Sequence, residues 1–577
     1  MLAKFALPSP NSKRRRRIPT SEFLKFRFIV LLSLALCFLG LSVPLPAEAV
    51  ELTPVINTST GPVRGEVLTT VVKNLKYSSF RSIRYAEPTT GDQRFKPPIP
   101  AKPWKEILNA TVEPGGCAQI NFITHNYTGS EDCLFLNIFT PVTEFGKEDK
   151  KAVMVWIYGG SFVTGNAQTI LYGPDFLLED DVILVTLDYR VGPFGFLSLD
   201  HQNATGNAGL KDQLLALQWV KENIGKFGGN DEKITIFGDS AGAVCVDLHT
   251  LSERSRGLFH RVISISGSAL NPWAFHKPRE AVSQGFKLGS LLGTITEDKE
   301  VLLRSLYEAT ALDIVSRAAE ITGEVTAFRP TVEDPSLAGD NAFLTETPLS
   351  KYKSGNFTKV PYVTGFTAQE TAYIVTNNKI QAITDLVASA LSIIEQIDRS
   401  MPVPTALVDN LLTDAANSLN KIAIFTREEL VQHTTFKYMT AGIDVKQRFL
   451  NDKSSEPVYY YRVSFDPPKS FGELLYHTDF NGTAHMDDLA YIFYMPIVDL
   501  PLDERDPISI TRRRVVRMWT NFAKYGNPTP DGEADPILNI TWPASGSSGR
   551  HLEIGEELSV GERPVDAREN YIKMLED

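Results

Sequence analysis

Residues 233–243, K-I-T-I-F-G-D-S-A-G-A, form the stretch that decides the fold of this chain. Their β-branched and aromatic start predicts a short buried strand, and residues 243–249 are compatible with a helix. G-x-S-x-G between a strand and a helix is the pattern of a nucleophile elbow, in which small neighbours allow a sharp turn that exposes the Ser240 hydroxyl. The alternative is a glycine-rich turn with an incidental serine, so the interpretation depends on the partners of Ser240.

The segments around the elbow alternate between strand and helix. Residues 152–158 form a continuous apolar run, typical of a strand in a sheet that is covered on both faces, and residues 182–187 are a second predicted buried strand. Residues 210–224 have apolar positions at helical spacing, and residues 262–265 form a further predicted strand. This succession predicts an α/β fold with a large, mostly parallel central sheet and helices on both faces.

Two later regions, residues 277–349 and 380–450, are helical in pattern and more polar. We expect these insertions to form a lid and a pocket wall above the carboxyl ends of the strands. Residues 361–365 and 457–461 are predicted to return to the sheet as core strands. No linker divides the chain, so we predict one catalytic domain over residues 50–577.

The first 49 residues have the features of a targeting segment. A basic stretch that includes residues 13–17 precedes an apolar run at 28–43, and residues 47–49, A-E-A, match a cleavage pattern. The apolar run of 16 residues is short for a membrane span. We therefore predict a cleaved signal peptide over residues 1–49 and a secreted protein without stable membrane insertion; an uncleaved anchor is the alternative.

The charge of the chain excludes some classes of partner. The net charge is −11 for the whole chain and −17 without the first 49 residues, which carry eight Lys/Arg and two Asp/Glu. An acidic protein is a poor candidate for binding nucleic acid or anionic lipid. We expect no nucleic-acid partner, and the oligomeric state has no signal in the sequence.

The cysteines and glycosylation sequons fit an oxidising compartment. Cys117 and Cys133 lie 16 residues apart with loop-like residues between them, which favours a disulfide bond. Cys245 lies in an apolar segment, and we expect a buried free thiol. Seven N-x-S/T sequons, each a weak signal alone, are glycosylation candidates: Asn57, Asn109, Asn126, Asn203, Asn356, Asn481 and Asn539.

Ser240 needs a general base, because an aliphatic hydroxyl is a weak nucleophile at neutral pH. In hydrolases with this elbow, the partners follow in the order Ser, acid, His. Four histidines lie well downstream: His433, His477, His485 and His551. His485 is the candidate base, because its small-residue loop leads into an aromatic segment and would let an imidazole reach over the sheet. A surface histidine beside two acids is the alternative.

Glu370 is the candidate acid, because it follows the predicted strand at 361–365 and a carboxylate just past a strand end reaches over the sheet. Three nearby carboxylates compete with it: Glu333, Asp334 and Asp340. The reaction also needs N–H donors for the oxyanion of the tetrahedral intermediate. The residue after the nucleophile, Ala241, supplies one, and the small-residue loop at 159–161, G-G-S, is placed to supply others. A simple tight turn is the alternative for this loop.

Several motifs together give the chain a family resemblance. They are E-D-C-L-F-L-N (131–137), W-I-Y-G-G (156–160), D-Y-R-V-G (188–192), G-N-A-G-L with D-Q (206–213), F-G-G-N (227–230), F-G-D-S-A-G (237–242) and W-T-N-F (519–522). With these motifs the sequence closely resembles the type-B carboxylesterase and cholinesterase family of α/β-hydrolases over nearly all of the mature chain. The resemblance implies a secreted carboxylesterase that hydrolyses a small-molecule ester through an acyl-enzyme, without a metal or an organic cofactor.

The resemblance also implies roles for individual residues. Ser240 is the nucleophile, His485 the base and Glu370 the acid. The oxyanion donors are the N–H groups of Gly160, Ser161 and Ala241. Ser266 is a supporting residue and Trp273 a pocket residue, and Cys117–Cys133 is the family's first disulfide.

Three departures from the family pattern limit what the resemblance implies. Ser161 stands where the family has a third glycine, and Asp239 stands where glutamate is common. Between Cys117 and Cys133 there is no tryptophan, whereas cholinesterases stack choline on one there, so acetylcholinesterase activity is not expected. Juvenile-hormone-type esterases remain an alternative, although they usually carry glutamine at the position of Asp239. The alternative from another class is a neuroligin-like adhesion protein without catalysis.

Overall fold

An eleven-stranded sheet forms the centre of the protein. A computed structural model describes residues 50–147, 149–321, 326–373, 375, 426–467, 470–472, 482–530, 535–567 and 569–576. Glu51–Asp577 forms one compact unit. The predicted signal peptide and Asn481 lie outside the described residues. No helix in the described part of the chain is long and apolar enough to cross a bilayer.

The strands of the central sheet are named in chain order. They are β1 (Glu66–Thr69), β2 (Lys76–Arg84), β3 (Phe135–Thr140), β4 (Lys151–Ile157), β5 (Ile183–Leu187), β6 (Gly229–Asp239), β7 (Arg261–Ile265), β8 (Tyr362–Thr367), β9 (Val458–Val463), β10 (His551–Ile554) and β11 (Leu558–Gly561). Their order across the sheet is β11-β10-β9-β8-β7-β6-β4-β5-β3-β2-β1. Strands β4 to β10 are parallel to their neighbours within this group, and the outer strands pair antiparallel. The predicted mostly parallel sheet is confirmed.

The helices pack around this sheet. They are α1 (Thr169–Tyr172), α2 (Asp175–Leu178), α3 (Gly192–Phe196), α4 (Ala208–Asn223), α5 (Ala241–Leu251), α6 (Pro278–Leu291), α7 (Lys299–Glu308), α8 (Ala311–Ala319), α9 (Pro335–Ala338), α10 (Pro348–Ser354), α11 (Arg427–Thr435), α12 (Ala441–Lys453), α13 (Pro507–Tyr525) and α14 (Glu569–Glu576). Helices α6 to α9 lie in the first predicted insertion, and α10 begins at its end. A π-helical turn, Phe436–Thr440, joins α11 to α12 in the described part of the second.

The continuous apolar runs explain the position of β4 in the middle of the sheet. Its side chains from Ala152 to Ile157 are buried, as a strand covered on both faces requires. Trp156 packs against Phe237 of β6 and against Phe493, with ring centroids 4.8 Å apart in both pairs. The strand next to the elbow is therefore fixed by aromatic packing.

Two further predictions concern the cysteines. Cys117 and Cys133 form a disulfide bond with their Cα atoms 4.9 Å apart, as predicted. The loop that the bond closes contains a short hairpin in which Gln119–Ile120 pairs with Tyr127–Thr128. Cys245 is a buried free thiol, and burial raises its pKa to about 12, so it is not a nucleophile at neutral pH.

Candidate active site

The parallel strands bring the predicted site residues to one edge of the sheet. Ser240 follows β6, Gly160 lies shortly after β4, and Ser266 follows β7. Glu370 lies just beyond β8, and His485 lies in the segment after β9. Because the carboxyl ends of parallel strands meet at the same edge, residues far apart in the sequence converge there.

The turn at Ser240 is sharp and conformationally strained. Ser240 has φ 56° and ψ −122°, and its N–H donates a hydrogen bond to the Ile265 carbonyl at 2.9 Å. A Cβ on Gly242 would lie 2.0 Å from the Ile157 carbonyl oxygen, and one on Gly238 would lie 2.5 Å from the same atom. Both glycines of G-x-S-x-G are therefore required by the close approach of the elbow to β4.

His485 and Glu370 form a buried hydrogen-bonded pair. The distance between His485 Nδ1 and Glu370 Oε2 is 2.5 Å. The other carboxylate oxygen, Oε1, accepts hydrogen bonds from the Thr367 N–H at 2.8 Å and from the Ser266 hydroxyl at 2.5 Å. Glu370 is fully buried, and His485 and Ser240 are 5 % and 9 % exposed. With Nδ1–H directed to the carboxylate, Nε2 is left as the acceptor nitrogen of the neutral imidazole.

The competing residues have other partners. Glu333 forms a buried ion pair with Lys211, and Asp334 caps the N-terminus of α9. His551 lies 3.0 Å from the Glu553 carboxylate at the far edge of the sheet. His477 lies outside the described residues. His485 and Glu370, the predicted base and acid, are thus joined to each other by a hydrogen bond.

The loop after β4 lies directly against the elbow. A Cβ on Gly159 would lie 3.0 Å from Ser240 Cβ. Gly160 and Ser161 have φ of 119° and 54°, so Ser161 adopts a left-handed conformation that favours glycine. Within the described residues, the N–H groups of Gly160, Ser161 and Ala241 donate no hydrogen bond to another residue. Three backbone donors near Ser240 are thus left for a ligand.

Gln119 connects the disulfide loop to the loop after β4, residues 158–165, here called the oxyanion loop after its predicted role. No motif in the sequence pointed to Gln119. Its Oε1 accepts hydrogen bonds from the Thr164 hydroxyl and the Gly165 N–H, each at 2.6 Å. Its Nε2 donates to the Gly165 carbonyl at 2.6 Å and to the Cys117 carbonyl at 3.0 Å. A single buried side chain therefore fixes the end of the oxyanion loop.

Two further carboxyl groups lie close enough to His485 to affect its charge. Asp239 and Asp488 are buried, and within the described residues neither carboxyl has a hydrogen-bond partner. Burial raises the pKa of Asp239, and burial followed by Asp239 raises that of Asp488 well above its usual range. Burial lowers the pKa of His485, but Asp239 and then Glu370 outweigh it and raise that pKa. The alternative of a surface histidine beside two acids is wrong, because the loop is buried.

Trp273 lies beside the oxyanion loop. Its ring centroid is 6.3 Å from that of Phe162, and its Nε1–H donates a hydrogen bond to the Tyr438 carbonyl at 2.8 Å. Tyr438 belongs to the π-helical turn between α11 and α12. The predicted pocket tryptophan is therefore held by an irregular turn of the second insertion.

The glycosylation candidates differ in exposure. Four are exposed: Asn57, Asn109, Asn126 and Asn539. Asn203 and Asn356 are partly buried, and the Asn356 side chain also hydrogen-bonds to Arg256 and Glu253. Carbohydrate attached at Asn356 Nδ2 would replace one of the two hydrogens on the nitrogen that contacts Glu253.

A family model described as "Carboxylesterase family" matches residues 52–572. The chain belongs to the carboxylesterase family. It is 34 % identical to the juvenile hormone esterase of Tribolium castaneum, over 85 % of each chain. It is also 34 % identical to the acetylcholinesterase of Bungarus fasciatus, over 86 % of this chain and 82 % of that one.

A solved structure extends the family assignment to the fold. The juvenile hormone esterase of Manduca sexta, with OTFP covalently attached, matches with a TM-score of 0.78 and 27 % identity. The match covers 91 % of this chain and 98 % of that one. The predictions of an α/β-hydrolase fold and of a carboxylic-ester hydrolase are confirmed. Membership of an esterase family favours hydrolysis over the adhesion alternative.

Proposed function

We propose that this carboxylesterase is a secreted serine hydrolase that works through Ser240, His485, Glu370 and an acyl-enzyme intermediate. The 2.5 Å hydrogen bond between His485 and Glu370, together with the strained turn at Ser240, is the observation that carries the proposal. A serine hydroxyl becomes an effective nucleophile when a base takes its proton and an acid orients that base.

Acylation is the first half of the reaction. The Ser240 oxygen attacks the ester carbonyl carbon while His485 Nε2 takes the hydroxyl proton. The imidazolium forms next to Glu370, whose carboxylate accepts from Nδ1–H at 2.5 Å. The oxyanion accepts hydrogen bonds from the N–H groups of Gly160, Ser161 and Ala241. When the tetrahedral intermediate collapses, the bond to the alkoxy oxygen breaks and His485 gives its proton to the departing alcohol.

Deacylation repeats these steps with water. His485 takes a proton from a water molecule, whose oxygen attacks the acyl carbon. Collapse of the second tetrahedral intermediate breaks the bond to Ser240 and releases the carboxylic acid, and the serine oxygen recovers its proton from His485. The enzyme ends in its starting state.

A fluorophosphonate probe followed by peptide mapping tests the proposal. The probe phosphonylates an activated serine, so we expect one labelled peptide that contains Ser240. Ser240→Ala should give no label and no ester turnover while the fold stays intact by circular dichroism. A label on another serine, or substantial turnover by the alanine variant, would remove Ser240 from the role of nucleophile.

We also propose esters of uncharged alcohols as the substrate class. A quaternary ammonium ligand is held by cation–π attraction to aromatic faces. The segment between Cys117 and Cys133 contains no tryptophan, and Gln119 in this segment points to the oxyanion loop. Some relatives are named for juvenile hormone and others for acetylcholine. The absence of tryptophan between Cys117 and Cys133 supports an uncharged alcohol.

Secretion is the third part of the proposal. The basic and apolar pattern of residues 1–49 and the Cys117–Cys133 bond support export to an oxidising compartment. Expression of the full chain in a eukaryotic host should release protein into the medium with Val50 at its N-terminus. Membrane-bound protein that retains residues 1–49 would support the uncleaved anchor instead.

A further inference from the structure

The turn after β7 lies between the nucleophile and the acid. Ser266 has φ 52°, and this conformation directs its hydroxyl to Glu370 Oε1 at 2.5 Å. The next residue, Gly267, is so close to the elbow that a Cβ would lie 2.5 Å from the Ser240 carbonyl oxygen. Residues 264–269, here called the support turn, therefore contact both catalytic elements.

Lys446 of α12 donates hydrogen bonds to this support turn. Its side chain is fully buried, and Nζ donates hydrogen bonds to the Ser264 hydroxyl at 2.8 Å and to the Gly267 carbonyl at 2.9 Å. Burial lowers the pKa of Lys446 to about 8 and Asp247 opposes the shift, so the amine is charged at neutral pH. A buried ammonium is costly to desolvate, and hydrogen bonds together with a counter-charge offset that cost.

Asp247 of α5 supplies the counter-charge and holds the other end of the support turn. Its Oδ2 lies 4.0 Å from Lys446 Nζ and accepts a hydrogen bond from the Ala269 N–H at 2.7 Å. Its Oδ1 accepts from the hydroxyls of Tyr352 and Tyr362, the latter at 3.1 Å. Lys446 and Asp247 thus bind the turn on both sides of Ser266.

We propose that Lys446, with Asp247 as its counter-ion, is a positioning residue for the catalytic acid, because it fixes the support turn from which Ser266 reaches Glu370. The inference rests on the proposed function, in which Glu370 orients His485. Lys446 touches neither substrate nor reacting atoms and acts through Ser266. A methionine of similar length would fill the same volume without donating to Ser264 and Gly267.

The test compares Lys446→Met with Lys446→Gln. Both variants remove the charge, and only glutamine keeps a hydrogen-bond donor. We measure kcat per active site, counted by fluorophosphonate labelling, so that loss of folded protein does not enter the rate. The methionine variant should lose about 10- to 100-fold in kcat with KM changed by less than about 3-fold. Glutamine should recover part of this loss.

The pH profile of kcat/KM gives a second readout. A poorly placed Glu370 stabilises the imidazolium less, so the acidic limb should move to lower pH in Lys446→Met. The other carboxyl groups that face His485, those of Asp239 and Asp488, are unchanged by this substitution. A general loss of stability would not move the limb.

Lys211→Met is the matched control. Lys211 is also buried, paired with Glu333, and donates to the Thr205 hydroxyl at 2.9 Å and the Gly206 carbonyl at 3.1 Å. None of its three partners hydrogen-bonds to a proposed triad residue within the described part of the chain. This variant should lose stability and keep kcat per labelled site.

A double-mutant cycle tests the route through Ser266. Ser266→Ala and Lys446→Met should be non-additive in kcat, because both act on Glu370 through one contact. Additive effects, a wild-type kcat and pH profile in Lys446→Met, or an equal loss of kcat in Lys211→Met would each overturn the inference.

Two arrangements keep the test decisive. If Lys446→Met does not fold, Ser264→Ala removes one partner of Lys446 and should lower kcat in the same direction; a wild-type kcat there would overturn the inference. Absence of labelling at Ser240 in the unmodified protein would instead defeat the proposed function and the inference with it. If Ser240 is labelled but Lys446→Met keeps the wild-type kcat and pH profile, the inference alone is defeated.

Discussion

Asp239 controls the basicity of His485 although it contacts the imidazole through no hydrogen bond. Asp239 directly precedes Ser240 and is buried, and its charge is the largest of the effects that raise the pKa of His485. A base with a raised pKa holds the serine proton more firmly once it is transferred. His485 also stays protonated up to a higher pH. Because a protonated imidazole cannot accept the serine proton, activity should appear only at more alkaline pH.

Asp239→Asn should therefore shift the acidic limb of kcat/KM to lower pH. Loss of the negative charge removes the strongest interaction that favours the imidazolium, and the pKa of His485 falls toward or below its usual value of about 6.5. The pH profile of hydrolysis of a neutral phenyl ester measures the shift. Asp340→Asn, at an exposed position, should leave the limb in place. A limb that stays fixed or rises in Asp239→Asn would contradict this electrostatic account.

The oxyanion loop depends on an element that is remote in sequence. Gln119 lies in the hairpin closed by the disulfide, and its amide contacts both Thr164 and Gly165 at the end of the loop. Ser161 adopts a left-handed conformation in the same loop, which is costly for a residue with a side chain. Contacts from the hairpin offset that cost by fixing the loop backbone.

Gln119→Ala should lower kcat by about 10- to 100-fold, because a loosened loop aligns its N–H donors poorly with the oxyanion. Asn121→Ala is the matched control: its side chain accepts hydrogen bonds within the hairpin, from Ile123 and Thr124. Steady-state kinetics with a phenyl ester separate the two variants. Equal losses in both would show that the hairpin as a whole, rather than Gln119, is responsible.

The disulfide bond should stabilise this hairpin by restricting the unfolded chain. For a closed loop with a sequence separation of 16 residues, its removal should lower the free energy of unfolding by about 2–4 kcal/mol. Urea denaturation of Cys117→Ser/Cys133→Ser against the unmodified protein measures the change. Free thiols at both positions in the native protein, found by mass spectrometry, would disprove the bond.

For the whole enzyme, the proposed substrate class predicts selectivity between two acetyl esters. 3,3-Dimethylbutyl acetate, the uncharged isostere of acetylcholine, should exceed acetylcholine in kcat/KM by about 10-fold, since the cation would lose its hydration without gaining the cation–π contact that is worth roughly 1–2 kcal/mol. Both substrates carry the same acyl group, so the comparison isolates the alcohol. Equal or reversed values would contradict an uncharged alcohol site and place the enzyme nearer to its acetylcholinesterase relatives.

Local patterns in the sequence determined the strands, several helices and the elbow. Apolar runs predicted β4, β5 and β7, and helical spacing predicted α4, because burial and periodicity act over a few residues. Local patterns do not predict the pairing near the N-terminus. There, Pro62–Arg64 pairs with Ile56–Asn57 and Leu108–Asn109 in a separate sheet, whereas β1 joins the central one.

The sequence by itself predicted the fold and Ser240 as the candidate nucleophile, and with the family resemblance it predicted Glu370 as the acid and His485 as the base. Only the tertiary structure decided the contacts that tune them: Ser266 with Glu370, Gln119 with the oxyanion loop, and Lys446 with the support turn. It also shows that Asp488 is buried. The physical reason is that these contacts join segments from different strands and helices. Strand order and the direction of each side chain, rather than local periodicity, determine which buried polar groups contact each other.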